Sequence, residues 1–289
     1  MVQQSRQREK SPDRALAQDE QSAAADHVGF ADDELTGQAE PSGPRQLLTF
    51  IGEATLAVVV ALVITALLRV FVFQIFQVPS GSMEQTLELR DRIVAVRLAD
   101  FERGDIVVFE DPPAEWMGEQ PAPTNPVRRV LEGLYLLPDS TQGYLVKRVI
   151  GMPGDHVRCC DADGQITING VALDETAYLF TDEAGQPVDP SLTPFDVVVP
   201  QGHIFVLGDH RDRSGDSRLH LCEEPVDGAA AGMNGFAPIS GVVGPVTHTI
   251  LPFDRFRNFD TPASFEAIPE PSDDAPAAPI LGEGTCELP

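Results

Sequence analysis

GYLVKRVIGMPGD, residues 143–155, decides how the rest of the chain is read. Tyr144 to Gly151 is a run of large and β-branched residues, closed by the turn-forming Pro153-Gly154-Asp155, and reads as a strand ending in a turn. In a strand, Leu145, Lys147 and Val149 share one face while Val146, Arg148 and Ile150 share the other. This period places Lys147 among apolar neighbours without saying which face lies inside. Lysine is scarce here: of 20 basic residues only Lys10 and Lys147 are lysine.

Similar runs lie on either side: RIVAVRL (92–98), DIVVFE (105–110), GQITING (164–170), FDVVVP (195–200), HIFVLGD (203–209) and SGVVGPVTHTIL (240–251). Each is rich in Val and Ile and bounded by Gly, Pro or Asp. No long helical period occurs from 79 to 258, so a mainly β, antiparallel domain is expected over 75–258. Residues 111–142 interrupt it. Prolines 112, 113, 121, 123 and 126 prevent regular structure in the first half, and PVRRVLEGLYLL (126–137) suits a short helix with Pro126 in its first turn. Trp116, Leu134, Tyr135, Leu136 and Leu137 make this insertion apolar. Packing on the β domain and dipping into a bilayer interface are equal readings of it.

The formal net charge is −25. That excludes ordinary nucleic-acid binding, which needs clustered Lys and Arg. Residues 1–46 and 259–289 are acidic and poor in large apolar residues, and are expected to be disordered. Between the first tail and the β runs, residues 47–74 read as one transmembrane anchor. Leu47 to Leu68 is 22 residues, roughly 33 Å of helix against a hydrocarbon core of about 30 Å. An acidic leader lacking a basic region argues against a cleaved signal. Four cysteines (159, 160, 222, 286) suit a non-cytosolic domain. Adjacent cysteines bridge poorly, so Cys159 or Cys160 to Cys222 is the expected pairing, with zinc ligation by these cysteines and His220 the weaker alternative.

Directly after the anchor comes VPSGSMEQTLELRDRIV (78–94), and later LGDHRDRSGDSR (207–218). Alone, PSGSM is a turn. Followed in order by YLVKRVIGMPGD and LGDHRDRSGDSR, it resembles the type I signal peptidases, membrane-anchored serine proteases, over about residues 47–255. The resemblance implies Ser82 as nucleophile, Lys147 as general base and Ser80 as oxyanion donor. It implies that Ser214 holds the lysine while Asp209, Asp216 and Arg218 brace the loop. It implies secreted preproteins with small residues at −1 and −3 as substrates, Ile93, Val94 and Met83 as candidate pocket residues, and no cofactor or metal. It further implies a single-pass plasma-membrane protein near the export machinery, with residues 1–46 cytoplasmic and the β domain outside.

Elementary chemistry agrees. A serine hydroxyl needs an adjacent base. Lysine can serve when burial disfavours its charge, whereas arginine keeps its proton. His156, His203 and His210 raise the rival Ser-His-Asp arrangement. The resemblance often has Asn at the place of His210, which argues against a catalytic part for it. Two departures stand out: Gln85 where such proteins commonly carry Pro, and a long stretch, 219–238, whose role is not readable. A self-cleaving repressor would need a DNA-binding head, against which anchor and acidity both speak. An inactive membrane-tethered binding module would have no need of Ser82, Lys147 and Ser214 together.

Overall fold

The computed structural model describes residues 43–113, 115–118, 125 and 143–286. The N-terminal tail up to residue 42 and the helix expected over 126–137 lie outside the described residues.

Helix α1 (Pro44–Phe71) opens with proline, whose missing N–H costs nothing in a first turn. Its segment Leu47–Leu67 is 21 residues, long and apolar enough to cross a membrane. The helix stops at Phe71, and Phe73–Gln77 forms strand β1. The expected anchor boundary at 74 therefore falls inside a strand. With two glutamines FQIFQ is less apolar than the helix before it, but no Gly or Pro divides the two, and pairing with β2 (Arg92–Val96) defines the strand.

The remaining strands are β3 (Ile106–Glu110), β4 (Tyr144–Gly151), β5 (His156–Cys159), β6 (Thr167–Ile168), β7 (Val171–Ala172), β8 (Phe195–Val198), β9 (His203–Leu207), β10 (Ala237–Pro238), β11 (Val242–Leu251), β12 (Arg257–Asn258) and β13 (Ile280–Leu281). They form an eight-stranded sheet in the order β1-β2-β11-β3-β4-β9-β10, with β12 against β11, and a five-stranded sheet in the order β13-β8-β5-β6-β7. All pairings are antiparallel. β11 pairs with β3 through its first half and with β2 through its second, where β12 lies on its other side. Gly244 sits before the changeover, where an added Cβ would strike the Val96 carbonyl.

β4 lies between β3 and β9, and every residue from Leu145 to Gly151 is buried. Leu145 and Val149 join Val107, Phe109, Ile204 and Val206 in one cluster. Val146 joins Met83, Leu87, Ile93 and Val108 in another. The open question of which face of β4 is inside thus has the answer that both are.

Two expectations are corrected. The stretch after 258, expected to be disordered, packs on the domain through residue 286. Phe265 and Ile268 are buried with Ile150, Tyr178 and Phe205, and β13 extends β8. A few apolar residues suffice because they add to an existing core rather than building their own. This strap also decides the cysteines. Cys222 is bonded to Cys286, 64 residues away with Cα atoms 5.2 Å apart, and Cys159 to Cys160. Cys222 was unavailable to its expected partner because the tail delivers Cys286 to it.

If the strap is integral to the fold, Phe265→Ala will lower unfolding free energy by about 3 kcal/mol, read as a shift in denaturant midpoint. A disordered tail would leave the midpoint unchanged.

Candidate active site

The turn after β1 is held from inside. Met83 and Leu87 are plugged into the core behind it, and the Leu87 and Thr86 amides donate to the Met83 carbonyl at 2.6 and 3.0 Å. Ser82 is therefore fixed at the inner edge of an otherwise exposed turn, 5% accessible. β4 brings Lys147 to it: Nζ donates to Ser82 Oγ at 2.7 Å. Ser80 Oγ lies 3.3 Å from the same oxygen.

Burial pushes the Lys147 amine down from 10.5 to about 8. Asp216 and Asp209 pull against the shift, and Arg218 assists it. Desolvation wins because each carboxylate already faces an arginine. Asp209 accepts two bonds from Arg148, at 2.9 and 2.7 Å, and one from Thr86 Oγ1 at 2.6 Å. Asp216 accepts from Arg218 Nε and Nη2, both at 2.8 Å, and from the Gly208 amide at 3.1 Å, while capping the short helix α2 (Ser217–His220). Burial alone would raise the Asp216 carboxyl, but its bonds, chiefly to Arg218, hold it below the usual range.

Residues 51–251 match the family model described as signal peptidase, peptidase S26. The chain belongs to that family. It is 32% identical to the signal peptidase I of Mycobacterium tuberculosis (strain CDC 1551 / Oshkosh) over 257 residues, 80% of this chain and 82% of that one. The probable signal peptidase I of Mycobacterium leprae is 33% identical over 244 residues, 76% and 81% of the two chains. The probable signal peptidase I-2 of Synechocystis is 31% identical over 186 residues, 63% and 70%. The chain is a serine endopeptidase.

Not every residue expected in the peptidase site makes the expected contact. Ser214 is buried, and its hydroxyl makes no hydrogen bond to Lys147; it lies by the Asp216 carboxylate and helps to hold it below the usual range. It lies against Gly208, where any side chain would collide with Ser214 Oγ and the Ser82 carbonyl. Of the candidate pocket residues, Met83 and Ile93 sit in the cluster behind the turn and Val94 is half-buried. The histidines take no part in a triad. His210 donates its backbone N–H to the Ser82 carbonyl at 3.0 Å, but its ring lies on Phe180 between Glu84, at 3.1 Å, and Asp212, at 3.2 Å. His156 pairs with Asp196, and His203 with the Gln201 carbonyl. The cysteines named as zinc ligands are all engaged in disulfides.

The sequence reading missed a buried ionic brace. Arg148 lies 4.1 Å over the Tyr178 ring and donates to the Gly104 carbonyl at 2.6 Å. Arg211 pairs with Glu175 and donates to the carbonyls of Gly208, at 3.0 Å, and Pro190, at 2.8 Å. Tyr178 in turn donates to Glu175 at 2.9 Å. A charged residue inside an apolar strand was the available signal for Arg148. Gln85 is not loose either: its amide donates to the Thr181 carbonyl at 2.7 Å and accepts from the Thr181 amide at 3.0 Å.

The depressed amine has a stability consequence. Below about pH 8 both states hold the Lys147 proton and the folded state carries the full penalty. Between 8 and 10.5 only the unfolded chain keeps it, so stability rises with pH there. The penalty is on the order of 3 kcal/mol. Lys147→Met is expected to raise the melting temperature at pH 6, the gain shrinking towards pH 10. A gain independent of pH would contradict this.

Proposed function

We propose that Ser82 is the nucleophile and Lys147 the general base of a membrane-anchored peptidase that removes N-terminal signal peptides from exported preproteins. The observation that carries this is the 2.7 Å contact between the Ser82 hydroxyl and a buried amine whose pKa lies near 8. Neutral Lys147 takes the hydroxyl proton as Oγ attacks the carbonyl carbon of the scissile bond. The Ser82 amide and the Ser80 hydroxyl receive the oxyanion, each such donor being worth about 3–4 kcal/mol. Lys147 then gives its proton to the leaving amine. Water, deprotonated by the same lysine, releases the acyl group and restores the serine.

Substrate adds as a strand. β4 pairs with β9 only from Arg148 onward, and among the described residues no strand flanks Leu145–Lys147 on that side. An extended chain held there makes main-chain hydrogen bonds and presents alternate side chains to the protein. Positions −1 and −3 then face the floor beside Lys147 and Leu145, where only small residues fit. Asp209, Asp216 and Arg218 act by bracing the loop. Ser214 acts on the lysine only once substrate brings the two closer.

In this scheme α1 crosses the plasma membrane once, residues 1–46 stay in the cytoplasm, and the domain from 75 works outside, close to the export machinery. The strap through 286 belongs to that domain.

Ser82→Ala and Lys147→Ala should each lower preprotein cleavage in detergent by about 10⁴-fold or more. Lys147→Arg should do the same, because a guanidinium does not lose its proton. Wild-type kcat/KM should climb about tenfold per pH unit up to roughly pH 8 and then level off. A flat profile from pH 6 to 9, or an active arginine variant, would overturn the dyad.

A further inference from the structure

We infer that Trp116 and Met117 form an apolar subsite for the substrate side chain at −5. The inference rests on strand addition along β4 with the acyl side of the scissile bond held there. Gly143 directly precedes β4 and prolongs its ladder with β3, its carbonyl accepting from the Asp111 amide at 2.9 Å. By strand alternation Gly143, Leu145 and Lys147 share one face. A Cβ at Gly143 would stand 3.2 Å from Met117 Sδ and from Asp111 Cβ, which puts that thioether on the face of Lys147, with the Asp111 carboxylate turned to the Met117 amide. The separation is four residues, about 13 Å along the strand.

Trp116 stands beside it on a fixed mount. Its ring stacks on His220 with centroids 4.7 Å apart, and meets Phe109 edge-on at 5.9 Å. Its N–H donates to the Asn234 carbonyl at 2.9 Å. Phe109 is the cross-strand partner of Leu145, so the indole also belongs to the lysine's face. The Met117 amide is held by the Asp111 carboxylate at 3.2 Å. Both side chains remain half-exposed, an apolar ledge already ordered before anything binds. This also gives the first part of the proline-rich insertion and the stretch 219–238 a common purpose: each supports the indole from one side.

Substrate side chains alternate with the same period of two. If −1 lies beside Lys147 and −3 beside Leu145, then −5 lies beside Gly143. There β4 offers no side chain, and Met117 and Trp116 take its place. Positions −2 and −4 point the other way.

The test is a preprotein series carrying Leu, Phe, Gly or Asp at −5 and, separately, at −4. Cleavage is followed in detergent with wild type, Trp116→Ala, Trp116→Phe and Met117→Ala. Leu or Phe at −5 should be cleaved about fivefold better than Gly, mainly through KM, as expected for partial burial of one apolar side chain. The −4 series should be flat. Both alanine variants should flatten the −5 series, and Trp116→Phe should keep most of the preference. An indifferent wild type overturns the subsite, as does a preference that survives Met117→Ala undiminished. So does an equal loss on every substrate, which marks a merely structural role; should Trp116→Ala fail to fold, Met117→Ala and Trp116→Phe decide. Failure of wild type on all substrates, or unimpaired cleavage by Ser82→Ala, would strike at the proposed peptidase chemistry instead.

Discussion

The cost of putting an ammonium group inside a β sheet governs this structure. Lys147 sits on a strand whose faces are both packed, in a chain whose one other lysine is Lys10. Water is absent there as a solvating partner, so the neutral amine becomes competitive near neutral pH. In the proposed reading, a surface lysine in the same orientation towards Ser82 would keep its proton and could not act as the base. The sheet thus does chemical work by withholding solvent.

That device is fragile, because buried carboxylates close to the amine would undo it. Asp209 and Asp216 are such carboxylates: both belong to the 208–218 loop, and Asp216 joins its two ends through the Gly208 amide and Arg218. The structure resolves the conflict by giving each its own guanidinium. Arg148 takes Asp209 on the face of β4 opposite the lysine, and Arg218 takes Asp216. Burying ion pairs seldom stabilises a fold. Here they let acidic residues organise the loop without recapturing the proton. Arg211 and Glu175 extend the same logic outward and tie the loop to the segment before β8.

Much of this was legible in the sequence, for physical reasons that also mark the limit. Strands β2, β3, β4, β8, β9 and β11 are runs of β-branched residues between turn formers, and their period is visible. β1 is hidden because no Gly, Pro or Asp stands between it and the helix before it. β7, β10, β12 and β13 are two residues each, too short to carry any period. Ser82 and Lys147 were marked by motif and by the rarity of lysine, yet the contact between them is a tertiary fact. Arg148, Glu175 and Arg211 went unread because a buried ion pair looks, letter by letter, like two surface charges. The C-terminal strap was misjudged because composition averages over a window, whereas Phe265, Ile268 and Cys286 act singly on a core made elsewhere.

The strap carries one more implication. β13 closes one edge of the smaller sheet, and Cys286 cross-links the segment that follows the 208–218 loop. Loss of residues 280–286 would strip away that edge strand and that cross-link together.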